Sequence, residues 1–323
     1  MKRVRIWRPL LLAAMAASVS ALAAEQYPTK AVRLIMPYAP GGGSDIIARA
    51  VGQKLSEALG QTFVVDTRPG AAGLIGTEIA SKAPGDGYTL ILADGSHTIN
   101  AVIYQKPRYD ALKDFSPIGL VATTPIMLLA HPSFSAKSMA EVLALPKAQK
   151  EKIAVGTSGP GGSPFMTYEW LRIKMGLTLN EISYKGGGPA MIDAAAGQIP
   201  LVLSTLASGI TYINGGRLKG LGIMTDKRHP LVPDVPTFQE AGIKDFAIVN
   251  WYGVLAGAGT SKDIVQLLNR EISKAMEAPN VRERLGALAL DIGTSSPDEL
   301  RRHIEVELKR WKDVMVQTNA KLQ

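Results

Sequence analysis

The sequence predicts an α/β protein built as two units of alternating strand and helix, and three observations carry that prediction. Strand-like runs at 32–37, 62–66 and 88–93 alternate with helix-like runs at 45–59 and 73–83. The same alternation restarts near Thr123-Thr-Pro125. About 300 residues follow the first 23, more than one core usually organises. A β-α-β-α-β order implies a parallel sheet covered on both faces.

The first element is a leader. Lys2, Arg3, Arg5 and Arg8 make a basic region, residues 10–17 an apolar run too short to span a bilayer, and Ala21-Leu-Ala23 a small-x-small cleavage site. Residues 1–23 therefore read as a cleaved export signal, with an uncleaved anchor as the alternative, and the mature chain is expected to begin at Ala24 in the periplasm. The chain has no Cys, so lipid anchoring through Cys, disulfides and thiolate ligands are excluded. Removing the leader takes four cations and no acid, so the formal charge of +8 falls to +4. The basic clusters at 147–152 and 301–312 are interleaved with acids, as solvated helix faces are, and no nucleic-acid partner is expected.

The strand at 32–37 runs into Tyr38-Ala-Pro-Gly-Gly-Gly-Ser-Asp45 and then a helix. Glycines let the backbone approach a ligand, and the helix points its unpaired N–H groups into the turn, so this is a place to hold an anion. Ligands of such sheets sit beyond the carboxyl ends of the strands. Tyr38, Ala39, Pro40, Gly41, Gly42, Gly43 and Ser44 fall there, as do Ser96 and His97 of Asp94-Gly-Ser-His97. Asp45 is either a carboxylate serving the helix dipole or a partner for a ligand ammonium, hydroxyl or water.

The second unit reads as strand 126–130, helix 139–145, strand 153–156, helix 164–175, strand 181–184, helix 189–196, extended 200–204 and strand 220–224, ending at 244–249. Helices at 261–277 and 297–318 close the chain. Ser296, Pro297 and Glu299 form a capping box with Pro at the first helical position. Leu300, Ile304, Leu308, Trp311 and Met315 share one face, which makes Trp311 a core residue.

Three glycine-rich turns follow a strand and open a helix: Gly41-Gly-Gly-Ser-Asp45, Ser158-Gly-Pro-Gly-Gly-Ser-Pro164 and Lys185-Gly-Gly-Gly-Pro189. In the last two, Pro stands at the expected first helical position. A helix N-terminus favours a negative charge by ~0.3 to 1 kcal/mol, and each hydrogen bond to a charged group contributes about 1.5 to 3 kcal/mol. Four or five converging donors roughly reach the ~8 kcal/mol of a micromolar complex, so a small carboxylate needs no arginine cluster. Phosphate loops are excluded, because the chain has no Gly-Lys dipeptide and no G-x-G-x-x-G between strand and helix. Gly156-Thr-Ser-Gly-Pro160 misses the nucleophile elbow at its fifth position, and His97, His131, His229 and His303 form no metal-ligand pair. His303, in the charged terminal helix, reads as a surface residue, and no cofactor is expected.

From Tyr27-Pro28 nearly to its end the chain resembles the Bug-type extracytoplasmic solute receptors of tripartite tricarboxylate transporters. The resemblance rests on Pro37-Tyr-Ala-Pro-Gly-Gly-Gly-Ser-Asp45, Arg68-Pro-Gly-Ala-Ala-Gly73, Gly85-Asp-Gly-Tyr-Thr89 and Gly156-Thr-Ser-Gly-Pro-Gly-Gly-Ser-Pro164. It continues through Tyr184-Lys-Gly-Gly-Gly-Pro-Ala190, Leu231-Val-Pro-Asp-Val-Pro-Thr237, Glu240-Ala-Gly242 and Trp251-Tyr-Gly253. It implies two Rossmann-like lobes of the periplasmic binding protein type, 24–124 with 250–323 and 125–249, closing over a ligand in the cleft between them. It also implies a carboxylate held by Tyr38 to Asp45 on one lobe and by Ser158, Gly161, Gly162, Ser163, Tyr184, Ser204 and Thr205 on the other.

Two departures bear on the ligand. Many relatives have His where this chain has Phe165, and many have Asp near Ser204. Without that acid an ammonium lacks one partner, so a carboxylate without an amine is favoured. The expected role is a monomeric receptor that hands a small carboxylate to membrane permease subunits. The alternatives are a periplasmic sensor for a signalling partner and an enzyme acting on a carboxylate through Ser96-His97 or Ser158.

Overall fold

The structure is a computed structural model that describes residues 27–40, 43–243 and 248–318. The leader at 1–23, Gly41 and Gly42 of the first turn, and most of the segment expected at 244–249 lie outside the described residues.

β1 (Val32–Met36), β2 (Phe63–Thr67) and β3 (Thr89–Asp94) pair in parallel with β1 central. The connections are α1 (Gly43–Leu59) and α2 (Leu74–Ser81). Alternate side chains feed two cores. Leu34, Met36, Leu90 and Leu92 pack with Ile47, Val51 and Leu55 of α1. Ile35, Ile91 and Ala93 pack on the other face with Leu74 and Ala80 of α2. Burial on both faces is why these strands read as unbroken apolar runs.

The sheet is not purely parallel. β4 (Phe115–Ala130) runs for 16 residues, and β9 (Val249–Gly257) lies between β3 and β4, antiparallel to both. Only 126–130 of β4 is legible as a strand, and β9 is hidden entirely. Pro117 and Gly119 disguise the first half of β4, and the pairing with β9 slips register between them. α3 (Gly95–Ile103) is also missed, because its Thr, Ile and Val residues have modest helix propensity.

The far end of β4 belongs to a second sheet. It pairs antiparallel with β7 (Leu201–Thr205) and β8 (Lys219–Ile223), and β7 pairs in parallel with β5 (Ala154–Thr157), which pairs in parallel with β6 (Asn180–Ser183). α4 (Met139–Ala144), α5 (Lys147–Lys150) and α6 (Ser163–Lys174) connect its strands, as do α7 (Gly187–Ala195) and α8 (Leu206–Asn214). The period of two recurs. Ile126, Leu128, Leu201 and Leu203 meet Met139, Val142 and Met166, whereas Met127, Leu129 and Val202 meet Ala190, Met191 and Ile210. Pro164 and Pro189 are the second and third residues of α6 and α7, so both helices begin earlier than Pro at the first position implies.

The chain closes with α9 (Lys262–Glu277), α10 (Pro279–Gly286), β10 (Asp291–Ile292), which pairs with β4, and α11 (Pro297–Thr318). The capping box forms: Ser296 N–H donates to Glu299 Oε2 at 2.8 Å and Glu299 N–H to Ser296 Oγ at 3.3 Å. Leu300 and Ile304 enter the core beneath α2, whereas Trp311, Val314 and Met315 enter the cluster of Ile126 and Met166. α11 therefore straps both sheets, and Trp311 is core.

Candidate functional site

β9 places Asn250 and Tyr252, both buried, where the two sheets meet, and four helices begin around them. On the first-sheet side these are α1 and α3; on the second they are α6 and α8. The glycines report how closely they approach. A methyl at Gly95, which opens α3, would stand 2.4 Å from Ser163 Oγ, which opens α6. One at Gly43, which opens α1, would stand 3.2 Å from the Tyr252 hydroxyl and 3.5 Å from Ala207 Cβ in the first turn of α8. Ser163 Oγ donates to Asn250 Oδ1 at 3.0 Å, and Ala207 N–H donates to Thr124 Oγ1 at 3.2 Å. The N-termini of four helices thus gather in one cleft; the Asp94 carboxylate caps α3 and Thr205 caps α8, and the ends of α1 and α6 are the ones that suit an anion.

The wall from the first sheet is held by side chains. Tyr38 O–H donates to Asp94 Oδ1, and the same oxygen accepts Ser96 N–H at 2.8 Å, capping α3. The side chains of Ser96 and Asn250 also hydrogen-bond Asp94. Burial nevertheless holds the Asp94 carboxyl above its ordinary range, against all these donors. The Tyr38 and Tyr252 hydroxyls are pushed up, first by burial and then by the Asp94 charge. Asn100 Nδ2 donates to Ala72 O at 3.0 Å, holding a turn in which Gly70, Ala71, Ala72 and Gly73 all have positive φ.

The wall from the second sheet is made of backbone. Gly159 and Gly161 take φ of +79° and +89°, where a side chain is strained, and Thr157 Oγ1 accepts Gly159 N–H at 3.1 Å. A methyl at Gly162 would lie 2.0 Å from Ser158 Oγ, itself buried without a hydrogen-bond partner among the described residues. A methyl at Gly161 would lie 2.2 Å from Asn100 Oδ1 on the opposite wall.

Of the residues singled out from sequence, Tyr38, Gly43, Ser44, Ser96, Ser158, Gly161, Gly162 and Ser163 come together here. Ala39 and Pro40 are exposed on the same turn, and Asp45 pairs with Arg49 through Oδ1 at 2.8 Å. Ser204 and Thr205 end β7, and Thr205 Oγ1 caps α8 by accepting Ser208 N–H at 3.3 Å. The His97 side chain goes elsewhere. The buried His97 ring packs against Tyr109, Phe115 and Trp251, with Nε2 3.0 Å from Ala111 O, and burial pushes its pKa down to about 4. It is a core histidine because α3 turns that face away from the cleft. Tyr184 donates to Asp193 Oδ2 at 2.8 Å, which commits its hydroxyl to α7, and burial pushes its pKa up to about 12. Phe165 is half-buried against the Met166 cluster. His303 is likewise half-buried, 5.3 Å from the Trp251 ring, rather than a surface residue.

The sequence puts Asp94 at the strand ends with Ser96 and His97 but gives it no role, and it gives none to Asn250 or Tyr252. Asp94-Gly-Ser is a helix-cap signature, but its bond to Tyr38 spans 56 residues and has no local trace.

The family model described as tripartite tricarboxylate transporter family receptor matches residues 47–320. Protein BugT of Bordetella pertussis is 33% identical over 312 residues, covering 96% of this chain and 95% of its own. The solved structure of R. palustris Rpa4515 with adipate is 30% identical, with a TM-score of 0.85, covering 91% of this chain and 98% of that one. MatC of Rhodopseudomonas palustris with bound malate is 29% identical, with a TM-score of 0.83, covering 89% of this chain and 99% of that one.

Proposed function

This chain belongs to the tripartite tricarboxylate transporter receptor family, and from that premise we propose that it captures a small carboxylate between two lobes and delivers it to a membrane permease. The observation that carries this reading is the gathering of the α1, α3, α6 and α8 N-termini around Asn250 and Tyr252. Backbone N–H groups from both lobes then grip one anion, so binding and closure are one event. The division falls between 124 and 125 and between 249 and 250. Support comes from β4, which exchanges β9 for β7 and β8 as partners beyond Pro125, and from the pairing of Pro125 with Val249. Those two strands are the hinge. The leader read in the sequence supports export to the periplasm, and we read the receptor there as a monomer. We read it as a receptor and not an enzyme, since its family is one of receptors and His97, the sequence's candidate for chemistry, faces the core.

Adipate and malate in the two related structures set the first ligands to try. A thermal-shift panel of malate, succinate, adipate, citrate, benzoate and glutamate tests the reading. A true ligand at 100 times its Kd stabilises by ~2.7 kcal/mol, which raises Tm by about 4 °C for a chain of this size. A panel with no shift for any carboxylate would refute it.

A further inference from the structure

We propose that Asp94 makes the cleft selective for charge: its carboxylate sets a negative group in the first lobe's wall, so that the lobes close over an anion only as Asp94 takes up a proton. This inference rests on the carboxylate reading above. Asp94 directly precedes Gly95, whose backbone touches Ser163 at the start of α6, so an anion on the α6 N–H groups lies beside Asp94. Its partners are neutral donors: the Tyr38 hydroxyl, Ser96 N–H, and the Ser96 and Asn250 side chains.

The other titratable groups acting on it are neutral too. Tyr109, from the segment after α3, and Tyr252 from β9 both sense the Asp94 charge. The His97 ring lies against Ala111 O, away from Asp94. On α1 the first cation in sequence, Arg49, is paired with Asp45. Two carboxylates within about 4–6 Å and without a cation between them raise one another's affinity for a proton. Burial has already moved Asp94 in that direction before a ligand arrives. One proton passes from solvent to the Asp94 carboxylate, and no bond to the ligand forms.

The test uses the mature protein and adipate between pH 6 and 8, where adipate itself is already ionised; L-malate replaces it if adipate gives no thermal shift. One linked proton weakens wild-type affinity about tenfold per pH unit. Asp94→Asn keeps an N-cap, because Asn caps as well as Asp. That variant should bind with a flat pH profile and, at pH 8, at least tenfold more tightly than wild type. Calorimetry in phosphate and Tris should count a proton taken up by wild type and none by the variant. A flat wild-type profile, or the same slope in Asp94→Asn, overturns the inference and leaves the carboxylate reading standing. Absence of binding by every member of the panel at every pH overturns both.

Discussion

The two walls of the cleft solve one problem in different materials. The first lobe positions its turns with buried polar side chains: Tyr38 and Ser96 on Asp94, and Asn100 on Ala72. The second lobe positions Ser158 to Ser163 with glycine conformations that no other residue adopts freely. The first wall therefore responds to pH and to loss of single hydrogen bonds. The second responds to the addition of single carbon atoms.

The largest expected effect belongs to the first lobe and to acid. The unfolded His97 titrates near 6.5 and the folded one near 4, so the unfolded chain binds the extra proton between those values. Stability is fully present above pH 6.5 and is lost as pH falls toward 4, by about 3 kcal/mol in all. Urea unfolding at a series of pH values should show this limb in wild type and a flatter one in His97→Gln.

Next is the second lobe's response to a methyl. Gly161→Ala strains φ and drives Cβ against Asn100 Oδ1 across the cleft. Carboxylate affinity should fall at least ~100-fold, equivalent to about 2.7 kcal/mol, while ligand-free stability falls by only about 1 kcal/mol. Equal losses in both measurements would erase the distinction between the walls. Tyr38→Phe removes a donor from a buried carboxylate and should cost about 2 kcal/mol in urea unfolding at pH 7. Smallest is Thr205→Ala, which removes the α8 cap and should cost about 1 kcal/mol, because the second lobe relies least on side-chain polarity.

The same division governs what the sequence reveals. The turns at Gly43, Ser158 and Gly186 are legible because glycine between an apolar strand and a helix has a local cause. The apolar runs of β1, β3 and β7 are likewise local, and so is the capping box at Ser296. The first half of β4 is not, since Pro117 and Gly119 become strand only through pairing with β9. Nor is the Tyr38–Asp94–Asn250 constellation, whose members are drawn together by the sheet order β1-β3-β9. His97 shows the converse: its place in the chain promised the cleft, and the helical turn sent its ring to Tyr109 and Trp251.

A crystal structure with bound adipate, or with malate if adipate does not bind, tests the central claim most directly. The expected result is carboxylate oxygens about 3 Å from backbone N–H groups both in the turn that opens α1 and in the turn from Ser158 to Ser163. A carboxylate whose every contact lies on one lobe would contradict capture by closure.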